Sequence, residues 1–271
     1  MLLIVDLDGV VYIGSSPVPG VPQVLSARAA LGDAVVYATN NSRWHRSDYI
    51  ERLQGMGAPV TLDSVVSVAR ATALLLVEEP VRPKCVMVLG GPGLSRELRD
   101  VGLRTVAPTP HGLAAGPDVV VVGVDFGLRY ERLSIAADAV RRGARFVATN
   151  RDPVYPSSRG LNAGAGSIVA AVVVAGGREP DIVVGKPGPR LFETAAATVG
   201  MTAREAVVVG DGLNTDIAAA HAVGARSVLM LTGVTSQAQV EAASSARRPT
   251  AVAHDAAELA AILERFADHE G

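Results

Sequence analysis

Two carboxylates one residue apart, Asp6 and Asp8, follow the first apolar run of the chain, Leu2–Val5. Such a run predicts a buried strand, and parallel sheets carry their sites at strand ends. In an extended chain the two side chains point to opposite faces, so both can serve one centre only if the chain turns, which Gly9 allows. Asp clusters that cap turns are common too, so this pair alone is ambiguous.

Three other apolar runs also end in residues that could bind an oxyanion or a cation. They lead into Thr39, Asn40 and Asn41, into Lys186, and into Asp211 and Asp216. Thr and Asn are also ordinary helix caps, and a single Lys is usually solvated. If all four runs belong to one doubly wound sheet, however, these side chains surround one cleft. Carboxylates that converge there would repel one another without a hard cation, and all-oxygen ligation suits Mg²⁺.

The elements that position these residues are short Val/Ile-rich runs, each followed by a stretch with helical spacing. This alternation predicts an α/β fold, a doubly wound parallel sheet covered by helices on both faces. The predicted strands are Leu2–Val5, Ala34–Ala38, Val86–Leu89, Val119–Val122, Arg145–Ala148, Ile182–Val184, Ala206–Val209 and Ser227–Leu231. A one-sided apolar stripe predicts a last helix that packs on the core; it comprises Leu259, Ile262, Leu263 and Phe266.

The length of 271 residues fits one large or two modest domains. Two segments rich in Glu, Pro and Gly, 78–83 and 176–180, look like paired hinges around an inserted domain. We therefore predict a core of residues 1–78 and 179–271 and a lid of residues 79–178. Only 30 residues separate Asp8 from Thr39, whereas 146 separate Thr39 from Lys186, which leaves room for a lid only in the second interval.

Composition excludes several classes of protein. The chain is 49% hydrophobic and 19% charged with a net charge of −2, so we expect a globular protein that neither nucleic acid nor an anionic membrane attracts. No apolar run approaches a membrane span, and the cytoplasm is the expected location. The single cysteine, Cys85, is predicted to be a buried thiol. The five histidines show no metal-ligand spacing, and we expect them at the surface or in caps.

The motifs Asp-x-Asp-Gly, Thr-Asn-Asn, Gly-Lys-Pro and Gly-Asp-x-x-x-Thr-Asp, in this order, resemble those of the haloacid dehalogenase-like superfamily of phosphatases. The resemblance extends over nearly the whole chain to the subgroup of p-nitrophenyl phosphatases, NagD-type proteins and phosphoglycolate or glycerol 3-phosphate phosphatases. Segments that carry it are Val88–Gly93, Ala148–Pro153 and Gly160–Gly166. It implies a Rossmann-like core with an inserted α/β cap of the C2 type, and lids of this kind often pair into a homodimer.

The resemblance also implies roles for individual residues. Asp6 is the nucleophile that becomes an aspartyl phosphate, and Asp8 is the general acid and base. The groups that hold phosphoryl oxygens are Thr39, the backbone N–H groups around Asn40 and Asn41, and Lys186. Mg²⁺ would bind the Asp6 carboxylate, the Asp8 main-chain carbonyl and Asp211, with Asp216 behind them.

One departure from the subgroup concerns the last motif. Members often carry Arg after the Asp211 position and an acid where Asn214 stands, whereas this chain has Gly212 and Asn214. The expected activity is Mg²⁺-dependent hydrolysis of a small phosphorylated metabolite. Two alternatives use the same residues: a phosphotransferase or mutase that passes the aspartyl phosphate to another acceptor, and a non-catalytic sensor of phosphate ligands.

Overall fold

The computed structural model describes residues 1–157 and 160–268, and its contacts divide the chain into two compact units. The first unit consists of residues 1–39, 47–66 and those from 186 onward, and the second of residues 40–46 and 67–185. Each unit carries its own parallel sheet. The prediction of an α/β protein with parallel sheets is confirmed.

The first unit contains a six-stranded sheet and a hairpin that follows its first strand. The sheet strands are β1 (Leu2–Val5), β4 (Ala34–Thr39), β5 (Val65–Ser67), β13 (Ala206–Gly210), β14 (Arg226–Met230) and β15 (Ala251–Ala253). The hairpin pairs β2 (Tyr12–Ile13) with β3 (Ser16–Pro17). The helices are α1 (Val21–Ala30), α2 (Arg46–Gly55), α8 (Arg190–Ala197), α9 (Ala218–Val223), α10 (Gln237–Ala242) and α11 (Ala256–Asp268).

The strand order β15-β14-β13-β1-β4-β5 places β1 near the middle, in parallel with β13 on one side and β4 on the other. Both faces of the sheet are covered. Leu3 and Val5 belong to the core cluster that includes α1 and α11, while their neighbours Leu2 and Ile4 are equally buried on the opposite face. Burial on both faces explains why β1 reads as a continuous apolar run rather than an alternating one.

The second unit has a five-stranded parallel sheet in the order β12-β9-β8-β6-β7. These strands are β6 (Val86–Leu89), β7 (Thr105–Val106), β8 (Val119–Val122), β9 (Arg145–Ala148) and β12 (Ile182–Val183). An antiparallel hairpin pairs β10 (Val154–Ser157) with β11 (Gly160–Ala163). The helices are α3 (Val68–Glu78), α4 (Pro92–Asp100), α5 (Pro110–Ala114), α6 (Tyr130–Arg141) and α7 (Ala165–Gly176).

The boundaries between the units differ from those predicted from the hinge-like segments. The helix α3 packs against α4, so residues 67–78 belong to the second unit and not to the core. The strand β12 pairs with β9, with Ile182 opposite Val147, so residues 179–185 also belong there. Residues 40–46 form a further part that the sequence did not indicate. The role of the second unit as a lid stays a prediction.

A buried ion-pair cluster fixes residues 40–46 within the second unit. His45 Nε2 lies 2.8 Å from Asp100 Oδ2 and 3.4 Å from Glu97 Oε1. Glu97 is fully buried, and its two oxygens accept hydrogen bonds from the Arg46 backbone N–H and side chain. The prediction that all histidines lie at the surface or in caps is therefore wrong for His45, because these acids draw it inside. His269 lies outside the described residues.

Two other sequence predictions are confirmed within the described residues. Cys85 is 2% exposed, and the apolar stripe of α11 is buried through Leu259, Ile262 and Leu263. Among residues 1–157 and 160–268, no helix has the length and apolar character needed to cross a membrane.

Candidate active site

Three adjacent strands of the first unit deliver polar residues to one edge of the sheet. In the register of the sheet, Val5 lies opposite Val209 of β13 and opposite Tyr37 of β4. Asp6, Asp211 and Thr39 therefore emerge at nearly the same level, from the carboxyl ends of β1, β13 and β4. The register thus aligns three of the four strand ends that were predicted to surround one cleft, and the roles of their residues stay a prediction.

Lys186 reaches the same edge by a different route from the one predicted. The strand before it, β12, belongs to the second unit's sheet, so Lys186 does not terminate a strand of the first sheet. Lys186 is nevertheless 2% exposed, and in the first unit its Nζ lies 2.7 Å from Asp6 Oδ1 and 2.6 Å from Asp216 Oδ1. Nζ also donates to the carbonyl of Ala38 at 3.2 Å. The Lys186 ammonium lies beside Asp6 as predicted, but the strand that precedes it belongs to the other sheet.

Neighbouring carboxylates stabilise the charged form of Lys186. Burial disfavours the ammonium form, but attraction to Asp216 and Asp6 outweighs burial and raises the pKa of Lys186 above its usual value. The side chain is therefore a fixed cation at neutral pH. An ammonium in this position can neutralise a carboxylate and attract an anionic group at the same time.

Asp216 is positioned by a single π-helical turn, Leu213–Ile217, which follows β13. Its Oδ2 accepts from the Gly212 N–H and the Thr215 hydroxyl, both at 3.1 Å, and Oδ1 pairs with Lys186. Gly210 leaves the space for it, because a Cβ there would lie 2.2 Å from Asp216 Cβ. Since both oxygens of Asp216 have protein partners, its contacts suit a residue that stands behind metal ligands.

The carboxylates of Asp6, Asp211 and Asp216 each offer an oxygen within 4.8 Å of the others. Burial, opposed by Lys186 and reinforced by Asp216 and Asp211, raises the pKa of Asp6 well above its ordinary value. Burial and the nearby Asp216 raise the pKa of Asp211 to about 6. One lysine does not balance three carboxylates, and a hard divalent cation bound by oxygen ligands would relieve the remaining repulsion. The residues therefore fit Mg²⁺.

Asp8 lies two residues after Asp6 and is the more exposed of the two. Gly9, at φ +81°, turns the chain as expected, and its N–H donates to the carbonyl of Tyr12 at 2.8 Å. Desolvation by the surrounding protein raises the pKa of the Asp8 carboxyl, although the charges of Arg52 and Lys186 oppose it. A raised pKa favours a carboxyl that can hold and give up a proton.

Asn40 and Asn41 directly follow Thr39 but belong to the second unit by their contacts. Asn40 Nδ2 donates to Asp152 Oδ2, and Asn41 Nδ2 donates to the Tyr155 hydroxyl, both at 3.0 Å. The predicted Thr-Asn-Asn group is thus divided: Thr39 is 3% exposed at the end of β4, and the two amide side chains bind residues of the second unit.

Gly212 and Asn214, the two positions that depart from the subgroup pattern, lie in different environments. Gly212 is buried and holds Asp216 through its N–H, whereas Asn214 is exposed and accepts a hydrogen bond from Arg247. The segment Thr232–Val234 contacts Gly9 and Asp211, although no motif in the sequence marks it as part of the site. Its position after β14, next to β13 in the sheet, was the only available signal.

Comparison with known proteins agrees with this geometry. The family model for haloacid dehalogenase-like hydrolases matches residues 3–104, and a HAD-hydrolase-like model matches residues 183–259. The D-glycerol 3-phosphate phosphatase of Mycobacterium tuberculosis is 38% identical over 253 residues, which cover 93% of this chain and 69% of that protein.

Solved structures give the same result. The p-nitrophenyl phosphatase from Archaeoglobus fulgidus superposes with a TM-score of 0.87 at 32% identity, covering 96% of this chain and 98% of that one. The glycerol phosphate phosphatase from Mycobacterium tuberculosis in complex with magnesium gives a TM-score of 0.85 at 38% identity, covering 95% of this chain and 75% of that one. The chain belongs to the haloacid dehalogenase-like hydrolase family, in the subgroup of the p-nitrophenyl and glycerol 3-phosphate phosphatases.

Proposed function

We propose that the protein is a Mg²⁺-dependent phosphatase that hydrolyses small phosphate monoesters through a phosphoryl group carried on Asp6. The observation that carries this proposal is the Asp6 carboxylate, 2.7 Å from the buried Lys186 ammonium and grouped with two further carboxylates. The phosphatase names of the relatives support it.

In the first step, an oxygen of Asp6 forms a bond to phosphorus while the ester P–O bond breaks. Lys186 holds Oδ1 and so orients the carboxylate for attack by its other oxygen. The leaving alkoxide needs a proton, and Asp8, whose pKa is raised, supplies it. The products of this step are the free alcohol, an ionised Asp8 and an acyl phosphate on Asp6.

In the second step, water attacks phosphorus and the bond between phosphorus and Asp6 breaks. Asp8, now ionised, takes the proton from the attacking water, which returns both carboxyl groups to their starting states. The Lys186 ammonium and the Thr39 hydroxyl stabilise charge on the phosphoryl oxygens through both steps.

The Asp6 and Asp211 carboxylates and the Asp8 main-chain carbonyl would hold Mg²⁺. When bound, the cation supplies positive charge that screens the phosphate from the carboxylates. Asp216 contributes by fixing Lys186, because its Oδ1 accepts a hydrogen bond from Nζ at 2.6 Å.

The test is phosphate release from a panel of glycerol 3-phosphate, 2-phosphoglycolate, sugar phosphates and nucleoside monophosphates, with Mg²⁺ and with a chelator. Asp6→Asn should reduce turnover by at least about three orders of magnitude, because the nucleophile is lost. Asp63→Asn is the matched control, since Asp63 is exposed and lies outside the site. Mass spectrometry of acid-quenched enzyme should find one phosphoryl group on the peptide that contains Asp6.

Turnover by Asp6→Asn, or turnover unaffected by the chelator, would contradict the proposal. Release of inorganic phosphate with water as the sole acceptor separates a phosphatase from a phosphotransferase. Binding of the phosphate esters without any release would instead favour a sensor.

A further inference from the structure

The loop after β14 reaches two elements of the candidate active site at once. The Thr232 hydroxyl donates to the carbonyl of Gly9 at 2.6 Å, and the Val234 N–H donates to Asp211 Oδ2 at 2.9 Å. Between them, Gly233 packs directly against the Asp211 side chain. Three adjacent strands, β14, β13 and β1, therefore have their carboxyl-end loops bonded to one another.

Two glycines enclose the Asp211 carboxylate. A Cβ on Gly233 would lie 1.8 Å from Asp211 Oδ2 and 2.5 Å from its Cβ. A Cβ on Gly9 would lie 2.2 Å from the same oxygen and 3.0 Å from the Gly233 Cα. Real side-chain atoms do not approach so closely, so the carboxylate sits where two backbones leave no room for a methyl group. Its Oδ2 is fixed by this packing together with the Val234 N–H.

We propose that Thr232, Gly233 and Val234 form a clamp that sets the position of Asp211 and of the Asp8–Gly9 turn relative to each other. This inference rests on the proposed function, in which Asp211 binds the metal and Asp8 transfers the proton. The clamp would hold both residues in position. Thr232 is a positioning residue: it acts on Asp8 through the Gly9 carbonyl and does not touch substrate. Gly233 is required for its lack of a side chain.

The two halves of the clamp predict different defects. Thr232→Val keeps the side-chain shape but removes the hydroxyl that donates to the Gly9 carbonyl. The turn that contains Asp8 therefore loses one hydrogen bond. We expect kcat to fall about fivefold to tenfold, the size of one lost hydrogen bond, with KM within about twofold of the wild type. Thr232→Ser keeps the hydroxyl and should restore most of kcat.

Gly233→Ala should act on the metal site. The added methyl group must displace the Asp211 carboxylate, so we expect the dissociation constant for Mn²⁺, measured by electron paramagnetic resonance in the absence of substrate, to rise at least about tenfold. Gly55→Ala is the matched control, since a Cβ at Gly55 meets nothing within 4 Å. Circular dichroism verifies that each variant is folded.

The clamp is refuted if folded Gly233→Ala binds Mn²⁺ as the wild type does, or if Thr232→Ser is as slow as Thr232→Val, which would assign the effect to packing. If Gly233→Ala does not fold, the two Thr232 variants decide the matter through kcat. A wrong assignment of function would give a different result, because Asp6→Asn would then remain active. The Mn²⁺ affinity of Gly233→Ala would still test the clamp in that case.

Discussion

Replacing Lys186 by Met should destabilise the protein strongly, and the loss should depend on pH in a defined direction. The ammonium is buried and bonds two carboxylates, Asp6 and Asp216, whose side chains are 12% and 1% exposed. Removing one partner of a buried ion pair leaves uncompensated charge and costs about 3–5 kcal/mol. We expect a loss of free energy of unfolding of this size at about pH 8, in protein treated with a chelator.

The pH dependence follows from the carboxylates that remain. In the wild type the pKa of Asp6 already lies above the unfolded value near 3.9, although the charge of Lys186 lowers it. Without Lys186 the folded variant therefore takes up a proton at Asp6 before the unfolded chain does as the pH falls. Stability is therefore regained on acidification, and the loss at about pH 5.5 should be smaller by roughly 1–2 kcal/mol. In the wild type, Lys186 stays charged over this range because its pKa is raised.

Urea denaturation followed by circular dichroism measures both effects. Lys84→Met is the matched control: Lys84 is exposed, and its loss should change stability by less than about 0.5 kcal/mol. A loss for Lys186→Met below about 1 kcal/mol at the higher pH, or a loss that grows on acidification, would refute the assignment of a buried, charge-compensating lysine.

Three further changes test other contacts. Asp8→Asn should lower turnover about a hundredfold or more because no proton can be delivered, while Mn²⁺ binding stays as in the wild type; weakened binding would show that its carboxylate is a metal ligand. Because the pKa of Asp211 is about 6, protons should compete with the cation, and Mn²⁺ affinity should fall up to about tenfold per pH unit below that value; a flat profile would contradict the raised pKa. Glu97→Gln should cost about 3 kcal/mol because it removes the buried negative charge that pairs with Arg46, against less than about 0.5 kcal/mol for the exposed Glu131→Gln, both measured by urea denaturation.

Much of the fold could be predicted because buried parallel strands have an unmistakable composition. β1, β4 and β13 lie within a residue or two of their predicted positions, since each is apolar on both faces. β12 shows the limit of this reasoning. Its sequence resembles that of any buried strand. No residue near it in the sequence indicates that Ile182 pairs with Val147 of the second unit.

The candidate site also has residues that the sequence predicts and residues that it does not. Asp6, Asp211 and Thr39 could be predicted, because Asp6 and Asp211 directly follow strands, Thr39 is the last residue of one, and the strand order brings the three together. The clamp could not be predicted, because Thr232 acts through a contact with Gly9, 223 residues away in sequence. A threonine followed by glycine after a strand is indistinguishable from an ordinary turn until the register of the sheet is known.

The chain crosses between the two units beside two residues of the proposed site. The chain passes from one unit to the other four times; Thr39 is the last residue before the first of these crossings, and Lys186 is the first residue after the last. This limits how the second unit could be exchanged between relatives to alter selectivity. A chimaera must keep the host's residues 47–66, which belong to the first unit, as well as Lys186 and the carbonyl of Ala38 that it binds. The splice points therefore belong within 67–185, and an excision that removes one residue too many at the second of them would take Lys186 with the insert.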